Sequence, residues 1–435
     1  AAPPSAAGCP PAPAARAAMK AALFLPCAAG VEPLLAEECT RLLGAAAPVR
    51  IARGGVAVDG DELAAMRLNL HSRLAQRVLW PLAHAPYRGE DDLYELARGV
   101  RWGDWITPAQ TLRVDVTAQR SPLQSLHFAG LRIKDAVCDS LRERHGARPS
   151  VDTHRPDLPL LLHLTTATAT LYVDTSGEAL FKRGWRDQKG EAPLKETLAA
   201  AMLAAAGWHG RAEDGPLLDP CCGAGTIAIE AAQLACGIAP GAQRRFAFER
   251  LAPFRAQAAA WRDLRDQAKA AEHAAPVPVF AGDVAFRMTD FATRNAERAG
   301  VGAAIEFRTA DALQRPPPAA SGTLLLNPPY GERIAAKGRG QQRGQQFEGG
   351  GDPADFFARL ATHWKRRYDG WTAWVLSPEM KLPGLMRLKE TRRVPLWNGP
   401  IECRLFRFDI IAGAMKTTPP PADAAPGRGD DAGGG

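Results

Sequence analysis

Paired cysteines are what this 435-residue chain most plainly lacks. Its 8 cysteines are scattered, and only Cys221 and Cys222 lie close together. That distribution suggests neither a disulfide framework nor a zinc site, and a reducing compartment is the simplest reading. Long apolar runs are also missing. None approaches the roughly 18 residues that span a bilayer, so no membrane partner is expected. Residues 1–18 are rich in Ala and Pro but have no apolar signal-peptide core. Met19-Lys20 opens the structured sequence and reads as a start. Internal repeats are absent, and so is the Ser-Gly-Gly-x-Asp-Ser loop that would bind ATP in a thiolation enzyme. The expectation is a cytoplasmic monomer without a metal.

Apolar mass and positive charge are what the chain does have. A hydrophobic content of 46% allows several cores, and two or three domains are expected. A formal net charge of +7 favours a polyanionic partner. Short apolar strands alternate with amphipathic helices from Ala21 onward. Leu23–Leu25 reads as a strand and Pro33–Leu43 as a helix. Arg53–Val58 reads as a turn and strand, and Asp61 is a natural N-cap for a helix over Glu62–Leu70. Strands follow at Thr111–Val116, Leu160–Leu164 and Ala169–Asp174, with a basic and apolar helix around Leu131–Val137. Helices mixed with non-sequential strands predict two small α+β units. Leu194, Leu198, Met202 and Ala205 then recur at helical spacing and predict one buried face.

Two motifs carry the chemistry. Pro216–Asp219 reads as the first strand of a doubly wound sheet, and Thr226–Leu234 as the helix after it. Between them runs Asp219-Pro220-Cys221-Cys222-Gly223-Ala224-Gly225. Gly223 and Gly225 let the backbone approach a ligand at the strand's carboxyl end, and Thr226 opens the helix beside it. Asp219 reads either as a loop organiser or as an indirect contact to a ligand amine. Asp283, after Val277–Phe280, is placed to accept from both hydroxyls of a ribose. It lies too far downstream for a simple nucleotide-binding βαβ unit, so segment 237–276 is an insertion. Cys221 and Cys222 read as small loop residues rather than nucleophiles.

The second motif is Asn327-Pro328-Pro329-Tyr330, after the apolar run Thr323–Leu326. An aromatic amine is a poor nucleophile because its lone pair is delocalised into the ring. An Asn oxygen and a proline carbonyl can accept from its two protons, drawing the nitrogen toward a tetrahedral form. Tyr330 adds a ring on which a flipped base can stack.

With these motifs the chain resembles the class I S-adenosylmethionine-dependent methyltransferases that modify exocyclic amines of nucleobases. Gly54-Gly55-Val56, Leu74–Leu82 and Lys134-Asp135-Ala136-Val137 extend the resemblance upstream to a ferredoxin-like unit and a THUMP RNA-binding domain. The family indicated is the THUMP-containing bacterial 23S ribosomal RNA guanine-N2 methyltransferases. Its members are often one half of a larger fused enzyme, and what the second half contributes is expected to come from elsewhere or to be lacking. The resemblance implies a Rossmann-like α/β domain with a mostly parallel sheet, preceded by two α+β domains. The expected boundaries are a disordered tail over 1–18, the ferredoxin-like unit over 19–75, THUMP over 76–178, the catalytic domain over 179–415 and a disordered tail over 416–435. Segment 335–352 is expected to be mobile. The resemblance also implies S-adenosylmethionine as cofactor, 23S rRNA or a large-subunit assembly intermediate as partner, and Asp311 as a bond to the cofactor's adenine amine. An isolated Asp after a strand is also a common cap. Arg120, Arg132, Lys134 and Arg155 are the candidate phosphate contacts. THUMP-containing tRNA guanine-N2 methyltransferases, adenine-N6 and protein glutamine methyltransferases, and a non-catalytic RNA-binding assembly factor are the rivals. The spacing of the motifs predicts a catalytic domain that folds alone from near Phe181.

Overall fold

The computed structural model describes residues 19–187, 194–328 and 353–411. The expected tails and segment 335–352 fall outside the described residues, as do Pro329 and Tyr330. The N-terminal half contains β1 (Ala21–Pro26), α1 (Glu32–Leu43), β2 (Val49–Ala52), β3 (Gly55–Gly60), α2 (Glu62–His71), β4 (Leu79–Pro86), α3 (Glu90–Arg98) and β5 (Thr111–Ala118). It continues through α4 (Leu126–His145), β6 (Ser150–Val151), β7 (Leu158–Leu164) and β8 (Thr168–Asp174). Asp61 does cap α2, its carboxylate accepting from Ala64 N at 2.9 Å. The two expected units share one eight-stranded sheet, ordered β2-β3-β1-β4-β8-β7-β5-β6. Phe24 of β1 pairs with Leu79 of β4, and that contact fuses what would otherwise be two sheets.

The C-terminal half runs α5 (Glu196–Ala206), β9 (Leu217–Asp219), α6 (Thr226–Ala235), α7 (Ala252–Arg255), α8 (Ala258–Ala270), β10 (Val279–Asp283), α9 (Phe286–Arg298), β11 (Ile305–Thr309) and β12 (Gly322–Leu326). It closes with α10 (Pro353–Arg367), β13 (Trp371–Ser377), α11 (Leu382–Met386), β14 (Arg392–Asn398) and β15 (Ile401–Asp409). The sheet order is β11-β10-β9-β12-β13-β15-β14, with β15 antiparallel to both of its neighbours and the other pairs parallel. The sheet is mostly parallel, as expected. The order reverses between β9 and β12, and a crevice at the carboxyl ends of these strands is where open α/β sheets bind ligands.

Helix α5 departs from the sequence reading. Nearly every residue from Glu196 to Ala205 is buried, not one face of it. Its Ala-rich surface lets α6 approach closely, so the helix is enclosed. The 237–276 insertion is likewise structural. It holds α7 and α8 and supplies Phe248, Phe254 and Trp261, which pack toward Trp80 of the N-terminal sheet.

Candidate active site

The carboxyl ends of four parallel strands bring the predicted residues together. Strand β9 is fully buried and delivers Asp219, 1% exposed, into the glycine loop. Its carboxylate accepts from Cys221 N at 3.2 Å. Burial pushes the Asp219 carboxyl up to about 8, against the pull of that N–H and of Arg315, and the neighbouring Asp283 charge adds to the rise. Asp283 is the last residue of the adjacent strand β10. Its two oxygens accept from Gly223 N and Ala285 N, both at 3.0 Å, and burial raises its pKa as well. Asp219, held neutral by its burial, and Asp283 therefore form a desolvated floor of carboxyl groups beneath the loop.

The loop's glycines divide their roles. Gly223 has φ +50° and nothing within 4 Å of where a Cβ would stand, so its flank is open to a ligand. At Gly225, φ +86°, an added Cβ would come within 3.0 Å of Ala292 on α9, so packing also requires this glycine. Thr226 is buried, and its hydroxyl accepts from Arg186 Nη2 at 2.8 Å. Asp311 lies just past β11, and its carboxylate accepts from Leu313 N at 2.8 Å. The capping role is thus realised through one carboxylate oxygen. Asn327 follows β12 directly. Its Oδ1 is buried and has no hydrogen-bond partner among the described residues. Pro328, next to it, is buried. Tyr330 lies outside the described residues.

Several supporting residues were not singled out from the sequence. Arg315 is 4% exposed, donates to Ala281 O at 2.8 Å, and fills the space where a side chain at residue 282 would go. Asn295 Nδ2 donates to Ala224 O at 3.0 Å and steadies the glycine loop from α9. Arg183 Nε donates to Glu230 Oε1 at 3.0 Å, and Arg73 Nη1 donates to Glu230 Oε2 at 3.3 Å. The available signal was an acid within an apolar helix, Glu230 on α6 and Glu196 on α5, since such an acid needs a buried cation.

The four candidate phosphate contacts do not form one cluster. Arg132 is bonded to Asp91 at 2.7 Å and lies over the Tyr94 ring, while Lys134 pairs with Asp135 at 2.7 Å. Arg120 and Arg155 are exposed. Arg120 follows the end of β5 and Arg155 precedes β7, which starts beside Leu112, so the two stand at opposite ends of β5, on the order of 20 Å apart.

Family profiles match three consecutive stretches of the chain: the RlmL ferredoxin-like domain over residues 22–79, the THUMP domain over 87–174, and the RMKL-like methyltransferase domain over 183–407. The chain belongs to the RMKL-like methyltransferase family. A Synechocystis sp. protein named "Putative RNA methyltransferase" is 35% identical over 389 residues, covering 89% of this chain and 96% of the relative. The ribosomal RNA large subunit methyltransferase K/L of Syntrophotalea carbinolica is 40% identical over 390 residues, 88% of this chain but 52% of the relative. The chain thus spans about half the length of the K/L relatives it matches. Among solved structures, SMU.472, described as "a putative methyltransferase complexed with SAH", superposes with a TM-score of 0.78 at 24% identity. That match covers 91% of this chain and 99% of SMU.472, and shows the shared fold.

Proposed function

We propose that this protein transfers a methyl group from S-adenosylmethionine to the exocyclic N2 amine of a guanine in 23S rRNA. The observation that carries the reading is the buried, unpartnered Oδ1 of Asn327 at the end of β12. A buried acceptor left without a donor is costly, and one beside the crevice of a methyltransferase-family domain suits an amine substrate. Asn327 Oδ1 and the Pro328 carbonyl accept hydrogen bonds from the amine's two N–H groups as its nitrogen becomes tetrahedral, so these bonds strengthen on the way to the transition state. The nitrogen–carbon bond forms as the carbon–sulfur bond breaks, and the methylated amine then loses its extra proton to solvent.

The chain's own residues fit this cofactor. The open flank of Gly223 admits a ligand against the loop backbone. Asp283, whose oxygens each accept one backbone N–H, keeps further lone pairs for a ribose hydroxyl, and Asp219 organises the loop through Cys221 N. Asp311 keeps acceptor capacity for an adenine amine beyond its bond to Leu313. Bound S-adenosylmethionine supplies the activated methyl group. The rRNA reading is supported by the THUMP match and by the names of the K/L relatives. Arg120, Arg132, Lys134 and Arg155 are then phosphate contacts that orient the RNA rather than read its sequence.

Nucleoside mass spectrometry of total rRNA tests the reading. Deleting the gene should remove one N2-methylguanosine from 23S rRNA, and the intact chain should restore it. Loss of N6-methyladenosine instead would move the assignment to adenine, and loss from tRNA would move the substrate. Unchanged modification of every RNA would contradict both.

A further inference from the structure

Arg186 carries a second unsatisfied group beside the same crevice. Its side chain is only 10% exposed. Nε donates to Glu196 Oε1 at 2.7 Å, and Nη2 donates to Thr226 Oγ1 at 2.8 Å and to Leu194 O at 3.3 Å. Nη1 is buried and has no partner among the described residues. The guanidinium plane is also held over the Trp185 ring, 5.0 Å from its centroid. Two donors of a rigid fork are therefore fixed in place with nothing to receive them.

Thr226 sets where they stand. It is the first residue of α6, the 10-residue helix that opens from the glycine loop without a side-chain cap. Uncapped N–H groups and the positive end of the helix favour an anion there. A neighbouring arginine with a free, buried nitrogen makes that preference specific for an oxyanion with two acceptors. Asp283, whose carboxylate accepts from Gly223 N at 3.0 Å, offers acceptors and no donor to the same anion when ionised.

We propose that Arg186 is the carboxylate anchor of the cofactor site, with Nη1 and the first turn of α6 receiving the α-carboxylate of the amino-acid arm of S-adenosylmethionine. The assignment rests on the cofactor reading above and adds to it a polarity: the amine of the ligand toward Asp283, the anionic group toward Arg186. It also gives the linker before α5 a function, because Glu196 and Leu194 O hold Arg186 beside the loop.

Calorimetry with the full chain and two ligands tests it. S-adenosylhomocysteine carries the carboxylate; its decarboxylated analogue keeps the nucleoside, thioether and amine. Arg186→Met and Arg186→Lys should each weaken S-adenosylhomocysteine binding by about 10- to 100-fold, the scale of a charge-assisted pair, while changing affinity for the analogue by less than about threefold. Arg186→Lys keeps a cation against Glu196, so it guards against a variant that fails to fold. Equal losses for both ligands would make Arg186 a structural clasp between α5 and α6 and overturn the proposal, as would unchanged binding of S-adenosylhomocysteine. A wild-type chain that binds neither ligand would remove the cofactor reading itself, and this subsite with it.

Discussion

At the scale of single residues, the acids of the crevice make the sharpest predictions. Asp219 is held protonated in the folded chain up to about 8, against an ordinary value of 3.8. The folded state therefore binds a proton that the unfolded chain releases across that interval. The stability this contributes is complete below the ordinary carboxylate range and is lost as pH climbs through about 8. The ligand-free protein should melt at a lower temperature at about pH 8 than at about pH 5, and Asp219→Asn should flatten that slope. A wild-type melting temperature that rises over the same interval, with no change in Asp219→Asn, would contradict the burial argument. Asp283→Ala removes the acceptor of Gly223 N as well as the proposed ribose contact. It should weaken S-adenosylhomocysteine binding by about one to two log units and leave RNA affinity nearly unchanged, both measurable by titration. These acids were legible because each stands at the end of a short apolar run. Arg315 and Asn295 were not, because their roles depend on which carbonyl another element brings near, and spacing along the chain carries no trace of that.

At the scale of elements, α6 joins the site to the rest of the fold. Its N-terminus receives the glycine loop, and its middle buries Glu230, 0% exposed, between Arg183 and Arg73. Arg183 Nη2 also donates to Arg73 O at 2.7 Å, and Arg73 itself belongs to the connection between α2 and β4. Glu230→Ala would strand two guanidinium groups in the interior and should cost about 3–5 kcal/mol, read as a lowered urea midpoint. Glu230→Gln, which keeps an acceptor of the same shape, should cost less. Equal midpoints for wild type and Glu230→Ala would show that water replaces the ion pairs. The helices themselves were legible from apolar spacing, and Asp61 from its position ahead of α2. Strands β2 and β6 were not. Val49–Ala52 and Ser150–Val151 are short and lie at the two edges of the sheet, where half-exposed residues leave no alternation to read. The enclosure of α5 was hidden for a related reason, since alanine is at home both in a core and on a surface.

At the scale of the whole molecule, the sequence suggested separable blocks, and the structure joins them. The insertion between α6 and β10 docks onto the N-terminal sheet: Phe248 N donates to Thr175 O and Ala252 N to Trp105 O, each at 3.0 Å. Trp80 meets Trp105 and Phe254 edge-on, with centroids 6.1 and 5.8 Å away. A chain cut near Phe181 would uncover Phe248, Leu251 and Phe254, all at most 2% exposed in the intact protein. The expectation of an independently folding catalytic domain is revised accordingly. Such a fragment should aggregate or sediment as a heterogeneous species, and a monodisperse, cofactor-binding fragment would contradict the docking argument. A fixed relation between the sheet that includes the THUMP match and the crevice is what an enzyme needs if one part grips RNA and another methylates it. Charge-neutralising Arg132 and Lys134 together should then flatten the salt dependence of RNA binding, whereas an unchanged slope would show that their pairs with Asp91 and Asp135 hold them out of the interface.

Asn327 is the residue on which the proposed methyl transfer depends. Single-turnover methylation with saturating RNA and labelled S-adenosylmethionine isolates the transfer step from binding. Asn327→Ala should bind both partners almost as the wild type does, yet transfer the methyl group slower by roughly 10²–10³, the cost of removing one preorganised transition-state acceptor. An Asn327→Ala enzyme that transfers at near the wild-type rate would contradict amine polarisation by this residue, and with it the proposed chemistry of the site.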